Sequence, residues 1–176
     1  GNGNITEIVQ ADGHTISYTY DKANRLTSYV DADGYTHKFA YDGNGNIIST
    51  TDGNGNVTRY TYDGLDRLVG KKDAEGGVSS KTYDADGRLT KVVNEEGAVT
   101  RYVYDDCNRV ISMTNAEGYE TCYTYDEMDR VLTITDPRKG VIEYTYTDRG
   151  DVATATDQEG YTTFYEYDGN RNMVKM

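Results

Sequence analysis

A tyrosine returns every 21 residues along this chain without a single insertion: Tyr20, Tyr41, Tyr62, Tyr83, Tyr104, Tyr125, Tyr146 and Tyr167. A period held over eight copies means that each unit makes the same contacts with its neighbours, so a slip anywhere is penalised. Other columns keep the beat. Asp follows the tyrosine at Asp21, Asp42, Asp63, Asp84, Asp105, Asp126 and Asp168, with Thr147 the exception. Four residues after each tyrosine stands Asn24, Gly45, Asp66, Gly87, Asn108, Asp129 or Gly150, until Arg171 departs from the pattern. Gly, Asn and Asp tolerate a left-handed backbone, so this is a turn position that requires positive φ. An aliphatic residue or Met follows two positions later, as at Leu26, Leu68 and Val110, and a strand restarts there.

Midway through each unit comes a second break: DADG at 31–34, DGNG at 52–55, DAEG at 73–76, NEEG at 94–97, NAEG at 115–118 and DQEG at 157–160. Asp or Asn followed three residues on by Gly34, Gly55, Gly76, Gly97, Gly118 or Gly160 is the chemistry of a type I turn closing a hairpin. DPRK at 136–139 keeps the Asp, places Pro where that turn accepts it, and moves the glycine to Gly140. Between the breaks, β-branched and aromatic residues alternate with period two, as in VTRYTYD at 57–63, and no helical period competes. The expected fold is all-β: tandem 21-residue hairpins in one continuous, twisted or spiralling antiparallel sheet. Residues 1–176 read as one repeat domain of about eight hairpins, and the opening GNGNI without a Met looks like a cut inside a longer chain.

Composition limits what such a sheet can bury. There are 18 Tyr, two Phe and no Trp, so the dominant apolar group is an amphipathic ring, and the core should be thin. Tyr18, Phe39, Tyr60, Tyr102, Tyr123, Tyr144 and Tyr165 form a second aromatic column on the same face as the first, interrupted only by Lys81. These ladders are expected to hold neighbouring hairpins together. Arg25, Arg67, Arg88, Arg109 and Arg130 lie four residues after an Asp and pair with it across the turn, as exposed pairs of small individual worth.

The formal net charge of −12 argues against nucleic acid or an anionic membrane as partner. No apolar run approaches a membrane span, and no signal peptide opens the chain. Cys107 and Cys122 fit neither a disulfide framework nor a metal spacing and read as free thiols.

The motifs YDADGRL at 83–89, YDGNGNI at 41–47 and DGNGNVTRYTYD at 52–63 resemble the RHS repeat, also called the YD repeat, over essentially the whole chain. The departures are Thr147 for Asp, Lys81 for the aromatic and Lys139 for Gly. The resemblance implies a segment of a hollow β-shell in a large secreted or cell-surface protein. In bacterial polymorphic toxins and insecticidal toxin complexes such a shell encloses a toxic domain; in teneurins a similar shell serves adhesion. The expected partners are neighbouring repeats and a toxin or effector cargo, and the net charge suggests an acidic inner lining that keeps cargo from collapsing onto the wall. Bacterial members often end the shell in a segment that cleaves the chain as an aspartic protease does; DPRKG at 136–140 falls on a regular turn position and reads as a turn.

Other chemistry is weaker. The turn carboxylates lack the glycine placement and closing Glu of an EF-hand, so no metal or cofactor is expected. His14 and His37 occupy repeat positions, and carboxylates present in every copy are scaffold, so no enzyme is expected. The alternative function is carbohydrate or protein binding for adhesion, with Tyr18, Tyr60, Tyr102, Tyr123, Tyr144 and Tyr165 as the ligand face. Strands near 5–10 and 161–167 would lack a neighbour, which predicts edge-to-edge self-association.

Overall fold

The computed structural model describes residues 3–176, and among these there is no helix. The strands are β1 (Glu7–Val9), β2 (Thr15–Tyr20), β3 (Leu26–Val30), β4 (Thr36–Tyr41), β5 (Ile47–Thr51), β6 (Val57–Tyr62), β7 (Leu68–Lys72), β8 (Val78–Tyr83) and β9 (Leu89–Val93). They continue as β10 (Val99–Tyr104), β11 (Val110–Thr114), β12 (Glu120–Tyr125), β13 (Val131–Thr135), β14 (Val141–Tyr146), β15 (Val152–Thr156), β16 (Thr162–Phe164), β17 (Glu166–Tyr167) and β18 (Met173–Lys175). Sheet order follows chain order from β1 to β16, and β17 with β18 forms a separate two-stranded sheet. The period has a simple anatomy: a six-residue strand, a five-residue connection, a five-residue strand and another five-residue connection. By packing, the chain divides into two compact units, Gly1–Thr82 with Val92–Ala98, and Tyr83–Lys91 with Val99–Met176.

In the first unit the aromatic column faces Tyr29, Thr50 and Lys71 across the ladder, through the pairs Tyr18 with Tyr29, Phe39 with Thr50, and Tyr60 with Lys71. In the second unit Tyr102, Tyr123 and Tyr144 face Met113, Ile134 and Ala155. Both units repeat a feature the sequence pattern does not announce. Tyr20 pairs with Leu26 while Thr19 pairs with Ser28, so Thr27 is an extra residue, and the same bulge recurs opposite Tyr41, Tyr62, Tyr104, Tyr125, Tyr146 and Tyr167. One unpaired residue per hairpin lets both Tyr and the aliphatic residue opposite it stay on one face.

No hydrophobic side chain among the described residues is fully buried, and the one buried polar side chain is Ser112. The thin core expected of a tyrosine-rich chain is thus the observed arrangement: half-covered rings on a sheet, with their hydroxyls free to find partners.

The turns follow one plan at both kinds of break. At 21–25 the Asn24 N–H donates to the Asp21 carbonyl at 3.1 Å and the Asp21 N–H to the Arg25 carbonyl at 2.9 Å; at 31–35 Gly34 and Tyr35 play those parts at 3.0 and 2.9 Å. Positive φ falls where expected, including Gly34 at 87° and Asn24 at 62°. DPRK closes the same turn, with Lys139 forced to φ 69° and its N–H on the Asp136 carbonyl at 3.0 Å. Arg171, outside the residue types that favour this backbone, still adopts φ 68°. A left-handed residue with a Cβ costs on the order of 1 kcal/mol relative to glycine. Lys139→Gly should therefore stabilise the chain by about 0.5–1 kcal/mol in urea unfolding, after allowing for the looser unfolded chain; an unchanged or lower midpoint would show that the Lys139 backbone carries no strain.

One strand differs from expectation. The strand placed near 161–167 breaks at Tyr165: β16 stays with β15, and β17 leaves to pair with β18. Tyr165 still donates its N–H to the Ala153 carbonyl at 2.9 Å; nothing in the structure explains the break.

Candidate functional site

Seven of the eight repeats carry the same polar assembly, built on the Asp that follows Tyr. Asp105 Oδ1 accepts the N–H of Cys107 and of Arg109, each at 2.9 Å, while Oδ2 accepts from Arg109 Nε at 2.7 Å. Asp21, Asp63, Asp84 and Asp126 bind Arg25, Arg67, Arg88 and Arg130 in the same way. At Asp42 and Asp168 an asparagine replaces the arginine, and Asn46 and Asn172 donate to Oδ2 at 3.0 and 2.9 Å. These bonds hold the carboxyls below their ordinary range. At Asp105 the Arg109 backbone N–H is the largest cause; at Asp84 it is the Arg88 side chain, and at Asp42 the Asn46 side chain. At Asp126 desolvation is the largest influence and pushes the other way, but the Arg130 bonds outweigh it.

The mid-unit turns closed by Asn need less. Asn94 Oδ1 accepts the N–H of Glu96 and Ala98 at 3.1 and 2.8 Å, and Asn115 does the same for Glu117 and Tyr119. At Asn94 and Asn115 one side-chain oxygen closes the turn; at Asp52 the second oxygen also finds a partner, in Asn56 Nδ2 at 2.9 Å. After Tyr, the second oxygen is also used, and the position is Asp.

The arginines then reach onward to the next repeat, which sets them apart from the isolated surface pairs expected. Arg109 Nη1 donates to the Asp126 carbonyl at 2.8 Å and to Asp129 at 2.9 Å, and its guanidinium lies 4.9 Å from the Tyr125 ring centre. Arg25 over Tyr41, Arg88 over Tyr104 and Arg130 over Tyr146 repeat the stack at 4.6, 5.3 and 4.5 Å. Each ring in turn sends its hydroxyl back: Tyr20 to the Ile5 carbonyl, Tyr41 to Leu26, Tyr62 to Ile47, Tyr104 to Leu89, Tyr125 to Val110 and Tyr146 to Val131, at 2.6–2.9 Å. Burial pushes the Tyr125 and Tyr146 hydroxyls up from their ordinary pKa. The first tyrosine column thus acts through cation–π contact and a hydroxyl bond. The ring-to-ring contacts lie elsewhere: Tyr29 with Tyr18, His37 and Phe39.

The departures at the C-terminal end compensate each other. Thr147 Oγ1 accepts only the Asp151 N–H, at 3.2 Å, and Asp151 stands where other repeats carry Arg. Its carboxylate binds Arg171 Nε of the following repeat at 2.9 Å. The acid and the base have changed places, and the inter-repeat tie survives.

The expected ligand face is partly covered. Tyr18, Tyr60, Tyr102, Tyr123, Tyr144 and Tyr165 are all half-buried. The exposed tyrosines among the described residues are Tyr35, Tyr119 and Tyr161, which directly follow turn glycines. His37 stacks on Tyr29 at 4.4 Å and sits 3.0 Å from Asp31, where it depresses the Asp31 carboxyl. Cys107 and Cys122 are free thiols. Among the described residues no group of three or more His, Cys, Asp or Glu is arranged to hold a metal ion. The acidic columns lie in the turns, where their carboxylates are engaged; on the strands exposed Lys38, Arg59 and Lys72 alternate with exposed Glu120 and Glu143.

Comparison with known proteins matches the family model described as RHS Repeat at residues 1–36, 41–78, 83–120 and 108–141. A search of curated proteins finds no match. Among solved structures, the Photorhabdus luminescens Tc holotoxin pore aligns with TM-score 0.69 at 19% identity, over 94% of this chain and 10% of that one. The TcdB2-TccC3-Cdc42 crystal structure aligns with TM-score 0.67 at 20% identity, over 94% and 10%. TcdB2-TccC3 aligns with TM-score 0.64 at 21% identity, over 93% and 10%. At this identity the likeness is one of fold, and this chain spans about a tenth of the length of each of those chains.

Proposed function

The chain belongs to the RHS-repeat family, and we propose that it is a length of wall: a non-catalytic run of hairpins in a larger RHS-type shell that encloses a toxin or effector cargo outside the cell. The observation that carries this reading is the tie between repeats. From Arg109 to Tyr125, the carbonyl bond, the ion pair and the stacked ring all point along the direction of repetition. A protein joined in this way extends by adding units, and its stability is a sum of units and nearest-neighbour interfaces. Such a chain spends its aromatic and charged groups on making area. The outer edge of β1, and that of β16 in the second unit, are where further repeats or a second copy would continue the ladder.

The reading is tested by passing the folded chain over a glycan array beside a Tyr60→Ser, Tyr102→Ser variant. A wall retains no glycan above background. Specific retention that disappears in the variant, with the β-sheet circular dichroism of both proteins unchanged, would replace the wall by an adhesion module.

A further inference from the structure

In the first unit a cavity of about 290 Å³ opens among Leu68, Lys71, Ser79, Lys81, Val92 and Glu95. It coincides with the one interruption of the second aromatic column. Tyr60 pairs directly with Lys71, and Lys71 with Ser79, so these side chains share a face, and Lys81 follows two residues later on the same strand. Where Phe39, Tyr60, Tyr102, Tyr123 and Tyr144 place a ring, this repeat places a flexible Lys81 that leaves the ring's space open. Ser79 is also the smallest residue of its column, where the other repeats carry Ile16, His37, Thr58, Thr100, Thr121, Ile142 and Thr163.

The charges at the cavity are unequal in their satisfaction. Lys71 Nζ is bound to Glu95 at 2.9 Å, which raises its pKa, but Lys81 is exposed and has no hydrogen-bonded or ionic partner among the described residues. Elsewhere in this chain a cation beside an open tyrosine face settles over it, as Arg25 does over Tyr41 at 4.6 Å. An ammonium attracts the face of an electron-rich ring and gains most when water is excluded.

We propose that this notch is a binding site for one electron-rich aromatic ring, a phenol or an indole, supplied from outside the chain and seated beside Lys81. The ring would occupy the space that the repeat's own tyrosine fills in neighbouring units, between Leu68 and Val92 below and the Lys81 ammonium at its face. The cavity is near the lower end of the size of small-molecule sites, which suits a single ring and excludes a fused polycycle. With so few ligand atoms the dissociation constant should lie on the order of 1 mM.

The probe is 4-methylphenol, the tyrosine side chain as a free molecule, titrated into the isotopically labelled chain and followed by amide chemical shifts. We expect saturable shifts confined to Leu68–Lys71, Ser79–Lys81 and Val92–Glu95. 4-Methylcyclohexanol, of similar size but without a π face, should bind roughly threefold or more weakly. Lys81→Tyr fills the notch from within, so it should abolish the shifts and raise the thermal midpoint, which also establishes that the variant folds. A second arm uses acetyl-Gly-Tyr-Gly-amide: tighter binding than the free phenol identifies a polypeptide as the source of the ring, and weaker binding identifies a free aromatic compound. Shifts spread evenly over all repeats, equal affinity for the cyclohexanol, or affinity unchanged in Lys81→Tyr would overturn the proposal.

Discussion

Tyr125→Ala should destabilise the chain by about 3 kcal/mol and Tyr125→Phe by about 1 kcal/mol in urea unfolding followed by circular dichroism. The reasoning separates the two parts of one side chain. Phenylalanine keeps the ring under the Arg109 guanidinium but loses the hydroxyl bond to the Val110 carbonyl at 2.7 Å. Alanine removes the ring as well, and with it the surface on which the guanidinium rests. The larger effect should come with a change of shape. In a chain of repeats joined only to their neighbours, weakening one interior interface lets the two sides unfold separately, so the single transition should split in two. Tyr20→Ala is the control. Its hydroxyl bonds the Ile5 carbonyl beside the short strand β1, so its loss should fray that end and leave one transition. If Tyr125→Phe costs as much as Tyr125→Ala, the hydroxyl bond carries the interface and the cation–π stack contributes nothing.

Much of the fold was written in the period. Asn24, Gly34 and their equivalents marked positive φ because few residue types accept it, and the alternation in VTRYTYD marked the strands because a half-covered sheet admits little else. The bulge at Thr27 was invisible for a physical reason. An unpaired residue in a strand needs no special side chain, and Thr27, Ile48 and Leu132 share only the ability to be β-branched or apolar. The inter-repeat wiring was half legible. Arg four residues after Asp suggested a pair across one turn, but its second destination lies 17 residues on, at the carbonyl of the next Asp, and a carbonyl leaves no mark in a sequence. Of the exchange of charge between Asp151 and Arg171 only Arg171 stood out as a departure, because the period aligns each residue with its own column and the bond runs between columns. The notch at Lys81 was the reverse case: the break in the column was plain, and only the structure gives it a volume.

The contrast between turns closed by Asp and turns closed by Asn makes acid the other large perturbation. Asp21, Asp42, Asp63, Asp84, Asp105, Asp126 and Asp168 all have carboxyls held below the ordinary value of 3.8 in the folded chain. A group whose folded pKa is depressed contributes stability that is complete above its unfolded pKa and is lost as the pH falls through the folded one. Stability should therefore be nearly level from pH 7 to about pH 5, and should fall steeply below about pH 4 as these seven turns, and the mid-unit turns at Asp31 and Asp52, whose carboxyls are also lowered, lose an acceptor together. Protonation also leaves the 18 Lys and Arg unbalanced, which adds repulsion in the same range. The turns closed by Asn94 and Asn115 have no proton to gain, since each works through a single amide oxygen. Amide exchange at pH 3 should thus open the turn at Asp105–Arg109 before those at Asn94–Ala98 and Asn115–Tyr119. Asp105→Asn sharpens the comparison. It keeps the Oδ1 bonds to Cys107 and Arg109 but offers Arg109 Nε an amide where it had a carboxylate oxygen, so the variant should be weaker than the parent at pH 7 and lose less on acidification. Equal exchange at Asp- and Asn-closed turns across pH 3–7 would mean that the second carboxylate oxygen, and the arginine it holds, does not anchor one repeat to the next.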